Sequence, residues 1–134
     1  MSNSEPIFWF RASLRIKDAP HLHQEIIARL GEGSECHQAG DRQHSNPKRR
    51  WPNDIWLISD PLDEKEELGA HLEWVTDFAE LHEEFLRSLI NRGAIIDIYV
   101  SYRCDQDHRG FGLDPRLLSV LVRLGIRFEM SIMT

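Results

Sequence analysis

Thiols, imidazoles and clustered charges are the side chains of this 134-residue sequence most able to do chemistry. Cys36-His37 and Cys104 with His108 are its thiol–imidazole groupings. Brought together they would make a Cys2His2 set for zinc. Neither half has the CxxC spacing of such sites, however, and Cys36 and His37, adjacent on a strand, would point to opposite faces. The expectation is two reduced thiols that neither pair with each other nor bind metal, and no cofactor. His82 stands on an apolar stripe between Ala79 and Leu86, so it is predicted to be a buried, neutral, hydrogen-bonded core residue. His21 and His23 flank Leu22 at a helix start and are expected to be solvated. The motifs GxSxG, GxxxxGK[ST] and HExxH are missing, which lowers the expectation of an enzyme without excluding one.

Charge is unevenly distributed. The formal net charge is −6. The run Lys48-Arg49-Arg50-Trp51 could grip an anion with the indole as a stacking platform, but three adjacent bases are few against that net charge, which argues against nucleic acid. The more distinctive feature is acidic. Ten carboxylates and one base, Lys65, lie between Asp60 and Glu84. Glu73, Asp77, Glu80 and Glu84 fall at i, i+4, i+7 and i+11 of a predicted helix, a stripe with little relief before Arg87. Such a stripe either solvates an amphipathic helix or steers a basic partner. A second candidate site is a pocket built from Arg15, Trp51, Tyr102, Arg103 and His108, between loops 40–53 and 105–112.

These residues need elements to position them. Ile7 to Ile16 alternates, with Phe8, Phe10, Ala12, Leu14 and Ile16 on one face and Trp9, Arg11, Ser13 and Arg15 on the other, as in a half-buried strand. Asp18 offers a cap and Pro20 a first turn for a helix carrying Leu22, Ile26, Ile27 and Leu30. Ser34 to His37 reads as a short strand and Ile55 to Ser59 as another. Gly40 to Asn53 lacks periodicity and is expected to be the most mobile internal segment. A long helix is predicted from about Asp63 to Asn91 on Leu68, Leu72, Val75, Ala79, His82, Leu86 and Leu89. Ala94 to Cys104 reads as a central or near-central strand. Asp114-Pro115 opens a third helix with Leu117, Leu118, Leu121, Val122 and Leu124, and Ile126 to Met133 a last strand. Gly31, Gly93 and Gly125 each follow an apolar periodic segment and are predicted to end it with positive φ.

Strand–helix–strand thus recurs three times, and crossovers of one hand place the helices on one face. The predicted class is α+β: a two-layer sandwich with a five- or six-stranded mixed sheet and three helices on one face. Ser13-Leu14-Arg15 followed by Arg29-Leu30-Gly31 echoes Ser101-Tyr102-Arg103 followed by Arg123-Leu124-Gly125, which raises the idea of two βαβ-like halves. Length and a hydrophobic fraction of 41% suit one domain with a real core. No run approaches the roughly 18 apolar residues of a membrane helix. The polar, acidic start at Met1 to Pro6 is unlike a signal peptide, so a cytoplasmic location is expected.

The order Gly40-Asp41, Ile55 to Ser59 (IWLIS), Leu68 to Phe78 (LGAHLEWVTDF), Arg92 to Tyr102 (RGAIIDIYVSY) and Gly110 to Ile132 (GFGLDPRLLSVLVRLGIRFEMSI) resembles the domain-of-unknown-function family 4279 over nearly the whole chain. The segment RQHSNPKRRWPN, Arg42 to Asn53, departs from it as a basic insert. The resemblance implies a small stand-alone bacterial domain and carries no catalytic residues. The expectation is a non-catalytic protein-binding module, of the immunity type, holding a basic toxin or enzyme on Glu73, Asp77, Glu80 and Glu84. The alternative is a small-molecule binder or enzyme using the loop-walled pocket.

Overall fold

A computed structural model describes residues 8–43, 45–104 and 111–133. Its strands are β1 (Phe8–Lys17), β2 (Glu35–His37), β3 (Ile55–Ser59), β4 (Ile95–Cys104) and β5 (Arg127–Met133). The α-helices are α1 (His23–Leu30), α2 (Leu68–Leu81), α3 (Glu83–Asn91) and α4 (Pro115–Leu124), with a 3-10 turn at Pro20–Leu22 before α1. The sheet order is β2-β3-β1-β4-β5. β1 is antiparallel to both β3 and β4, β2 is antiparallel to β3, and β4 is parallel to β5.

This order has a simple derivation. β1-α1-β2 is a parallel crossover that leaves room for β3, and β3-α2-α3-β4 is one that leaves room for β1. Interleaving the two makes the split-βαβ arrangement of ferredoxin-like domains, and β4-α4-β5 adds a strand at one edge. The two echoing segments are therefore both βαβ units, but the first straddles a strand and the second does not. Reversing both strand direction and crossover direction keeps the helices on the same side, as expected for crossovers of one hand.

The strand alternation read from sequence is realised. Phe10, Ala12, Leu14 and Ile16 of β1 face the helical layer with Trp56, Ile96, Ile98 and Val100, and all are buried. The apolar faces of α2, α3 and α4 close the core with Leu72, Val75, Leu86, Leu89, Leu117 and Val120. Gly31, Gly93 and Gly125 all have positive φ at helix exits.

Several boundaries differ from expectation, for identifiable reasons. Asp18 does not cap a helix; it takes φ 57° in the turn leaving β1, and Ala19 precedes the 3-10 turn without a side-chain cap. The long helix starts at Leu68 rather than Asp63, because residues 61–67 form a turn tied to β1 through Phe10 N–H donating to Glu64 O at 2.9 Å. It also breaks at His82, so four α-helices rather than three cover the sheet. The break lets α2 pack on β1 and α3 on β4, which one straight helix could not do. His82 is consequently half-buried against Phe78, ring centroids 4.6 Å apart, rather than in the core on a buried polar partner. Burial pushes its imidazole pKa down and the charge of Arg29 adds to this, the direction expected for a neutral ring.

The described residues of segment 40–53 pair as a hairpin rather than forming a loop without pairing. Gly40 N–H donates to Trp51 O at 2.8 Å, Trp51 N–H to Asp41 O at 2.8 Å and Gln43 N–H to Arg49 O at 3.0 Å, and Arg42 and Arg50 form an antiparallel bridge. Backbone pairing and a turn at Asn46-Pro47 organise it, and neither leaves apolar periodicity to read.

Gly33 gives a sharp local test. It has φ +66°, and a Cβ there would lie 2.5 Å from Leu57 O and 2.9 Å from the buried Trp56 ring. Leu57 O is fixed by Ser34 N–H at 2.9 Å and cannot retreat. Gly33→Ala is expected to cost about 2–3 kcal/mol in urea unfolding. A cost of a few tenths would show that this loop yields.

Candidate functional site

The helices leave one face of the sheet uncovered among the described residues, and register sorts its side chains into rows. One row reads Glu35, Leu57, Arg15, Asp97, Arg127, and the next reads Ser59, Ser13, Tyr99, Glu129. Beyond them lie Arg11, Ser101 and Ser131, then Trp9, Arg103 and Met133. On the other side of the Arg15 row are His37, Ile55 and Lys17.

Asp97 sits mid-strand on this face with its side chain fully buried. Arg15 grips it bidentately, Nε to Oδ1 at 2.6 Å and Nη2 to Oδ2 at 2.7 Å, and Lys17 Nζ reaches Oδ2 at 2.8 Å. Arg15 also pairs with Glu129 at 3.0 Å, and its guanidinium carbon lies over the Tyr99 ring, 4.2 Å from the centroid. Burial pushes the Asp97 carboxyl up, but the hydrogen bonds and charges of Arg15 and Lys17 outweigh it and hold its pKa below the usual carboxylate range.

The neighbouring hub is Asp60, just past β3. Its Oδ2 accepts Ala12 N–H at 2.8 Å, and its Oδ1 accepts Leu62 N–H at 3.0 Å. Arg11 Nη1 donates to the same Oδ1 at 3.0 Å and to the carbonyls of Asp60 and Leu62. His71 Nδ1 lies 2.7 Å from Oδ1 and its Nε2 3.2 Å from Glu66 O, with His71 wholly buried. The cluster bolts the first turn of α2 to β1 and β3. Within it the Asp60 and His71 side chains are both wholly buried, and Arg11 alone reaches the surface.

Between these clusters is a shallow hollow of about 370 Å³ with Ile55 and Leu57 as its floor and Trp51, Tyr99, Ser13 and Ser101 around it. Trp51 comes from the hairpin base and stacks on His37, ring centroids 4.2 Å apart and 17° from coplanar. Its Nε1–H is buried without a protein acceptor among the described residues, a condition few native donors tolerate.

The residues expected at a pocket are only partly brought together. Arg15 and Trp51 line the hollow, but Tyr99 occupies the place anticipated for Tyr102, whose side chain is buried on the helix side against Phe10. Arg103 is exposed two rows away, and His108 lies outside the described residues. Arg15 already holds two carboxylates, so it is not a free anion grip.

The acidic stripe is exposed as read, yet it is less naked than expected. Arg116 of α4 pairs with Asp77 and, at 2.8 Å, with Glu80. Arg123 pairs with the adjacent Glu83 at 2.5 Å. The break at His82 sets Glu84 on a different helix from Glu73, Asp77 and Glu80. Relief comes from a helix forty residues away, which spacing within one helix cannot reveal.

The thiols divide as alternation demands. Cys36 faces the helices and His37 the open side, and β3 and β1 separate Cys36 from Cys104; both are free. His23 is buried rather than solvated, with Nε2 3.3 Å from Cys36 Sγ. Burial, then Glu32, Asp41 and Asp54, push the Cys36 pKa up, so this thiol is held protonated and poorly nucleophilic. A larger groove of about 460 Å³ runs between α2 and α4. Most of its polar lining is engaged, since Thr76 donates to Leu72 O, Asp114 caps α4 and Arg116 holds the stripe, while Glu73 is exposed at its rim.

A split-βαβ sheet with one helical layer and an ion-paired open face defines a small α+β domain. The chain belongs to the family described as domain of unknown function 4279 (DUF4279), matched over residues 8–134. No curated protein and no solved structure matches it. No helix among the described residues is long and apolar enough to cross a membrane.

Proposed function

We propose that this domain is a non-catalytic binding module whose ligand lies in the hollow on the open sheet face. The observation that carries the reading is Trp51: an aromatic wall, held by His37, with a buried N–H that has no acceptor among the described residues. The hollow offers apolar floor, aromatic walls and hydroxyls, while Arg11 and Arg15 are spent on Asp60 and Asp97. That chemistry suits a planar, uncharged, acceptor-bearing group, a heterocycle or an aromatic amide, better than a phosphate. The protonated Cys36 and the wholly buried Asp60–His71 pair support the absence of catalysis.

A second reading is retained because Glu73 and Glu84 are exposed on helices that already carry the chain's acidic excess. There the acidic helix face docks a basic protein, as an immunity protein would, within the cytoplasm. One NMR experiment separates the two. Nicotinamide, uracil and indole are titrated in turn against a short oligolysine. At least one heterocycle is expected to move the Trp51 indole N–H resonance while leaving that of Trp56 in place, since Trp56 donates to Gly31 O in the core. If only oligolysine perturbs the spectrum, at Glu73 and Glu84, the hollow is not the site and the acidic face replaces it.

A further inference from the structure

We infer that two copies of this chain associate through the β5 edge and the outer flank of α4. β5 is the longer free edge of the sheet: seven residues, without proline, paired on one side only among the described residues. Protected edges carry bulges, prolines or charges; β5 pairs with β4 without a bulge, has no proline, and its two charges, Arg127 and Glu129, both lie on the open side. Its partner element is α4, the outermost helix on the same side. Arg116 and Arg123, seven residues apart, reach inward to α2 and α3. At 3.6 residues per turn, Leu118 and Val122 then lie on the flank turned away from α2.

That flank and edge concentrate exposed apolar side chains. Leu118 is 43% exposed, Val122 85%, Ile132 58% and Met133 42%, four of the six large apolar residues exposed among those described. Of the apolar residues on α4, Leu117, Val120, Leu121 and Leu124 serve the core and Leu118 and Val122 do not. Charge points to a second copy as the occupant. From Pro115 to Thr134 the chain has three arginines and a single carboxylate, Glu129, so two copies of this −6 molecule meet there with little acidic repulsion.

Self-complementarity supports the same occupant. An antiparallel β5–β5 pairing centred on Met130 sets Phe128 opposite Ile132 of the second copy on the helix side and Glu129 opposite Ser131 on the open side. No like charges face each other. A two-fold axis there brings the Leu118 and Val122 flanks of both α4 helices together and continues the sheet across the dimer.

The test is the mass of the whole chain in solution by light scattering and sedimentation. The wild type is expected at twice its 15.7 kDa. Val122→Lys with Ile132→Lys, both exposed, is expected at the monomer mass with an unchanged circular dichroism spectrum. Leu81→Lys, exposed on α2, is expected to remain a dimer. A wild type that stays monomeric up to about 1 mM overturns the inference. So does a dimer that survives the double substitution or one that Leu81→Lys dissociates. Should the double variant fail to fold, amide exchange of the wild type decides. Residues 127–133 must be more protected at high than at low concentration, and equal protection overturns the inference.

Discussion

Asp60→Ala is expected to cost the fold about 3–5 kcal/mol, a large share of the stability of a domain of this size. One carboxylate there serves the Ala12 and Leu62 backbone N–H groups, the Arg11 guanidinium and the buried His71 ring. Removing it leaves the buried Ala12 N–H and the buried His71 Nδ1 without that partner, and takes the counter-charge from Arg11, which keeps only its two carbonyl acceptors. Asp60→Asn keeps one oxygen but replaces the other with a donor, so it is expected to fall between wild type and alanine. Urea unfolding of both, with His71→Ala and the double variant, should give a coupling energy above about 1 kcal/mol. A midpoint for Asp60→Ala that barely moves would show that α2 docks without this hub.

Acidification is the second large effect, and it runs through Asp97. Burial disfavours its charge, yet Arg15 and Lys17 win and its folded pKa lies below the unfolded value of about 3.9. A carboxyl depressed on folding stabilises the protein above its unfolded pKa, and that contribution is lost as pH falls through the folded one. Wild-type stability should therefore decline as pH drops below about 5, steepening toward the depressed value. Asp97→Asn should be less stable by about 3 kcal/mol at neutral pH, because Arg15 and Lys17 lose their charge partner on the sheet. Its acid limb should also be flatter. Parallel acid limbs for the two proteins would mean that other carboxylates govern acid unfolding.

The two effects share a design. Both acids lie between oppositely charged neighbours on the open face or at its border, so the uncovered layer is held by ion pairs instead of a second apolar core. This is also why the hollow, although flanked by arginines, presents little unspent positive charge.

Periodicity alone determined most of the architecture. The two-residue alternation of Phe8 to Ile16 and the apolar run at Ile95 to Cys104 specified strands, and Asp114-Pro115 with Gly125 specified both ends of α4, where Asp114 accepts Arg116 N–H at 2.9 Å. These signals are local: a face, a cap and an exit are each encoded within a few residues. His71 was within reach of the same reasoning, since it falls three residues after Leu68 on the apolar stripe of α2. Tertiary structure decided what depends on neighbours distant in sequence. Only the packing of α4 beside α2 shows that Arg116 answers Asp77 and Glu80, and only the register of β1 with β4 sets Arg15 on Asp97. The break at His82 arises because α2 and α3 must cover different strands, and Leu118 and Val122 become surface because α4 lies at the edge. Charge pairing and exposure are properties of surfaces that meet, and spacing along one chain does not contain them.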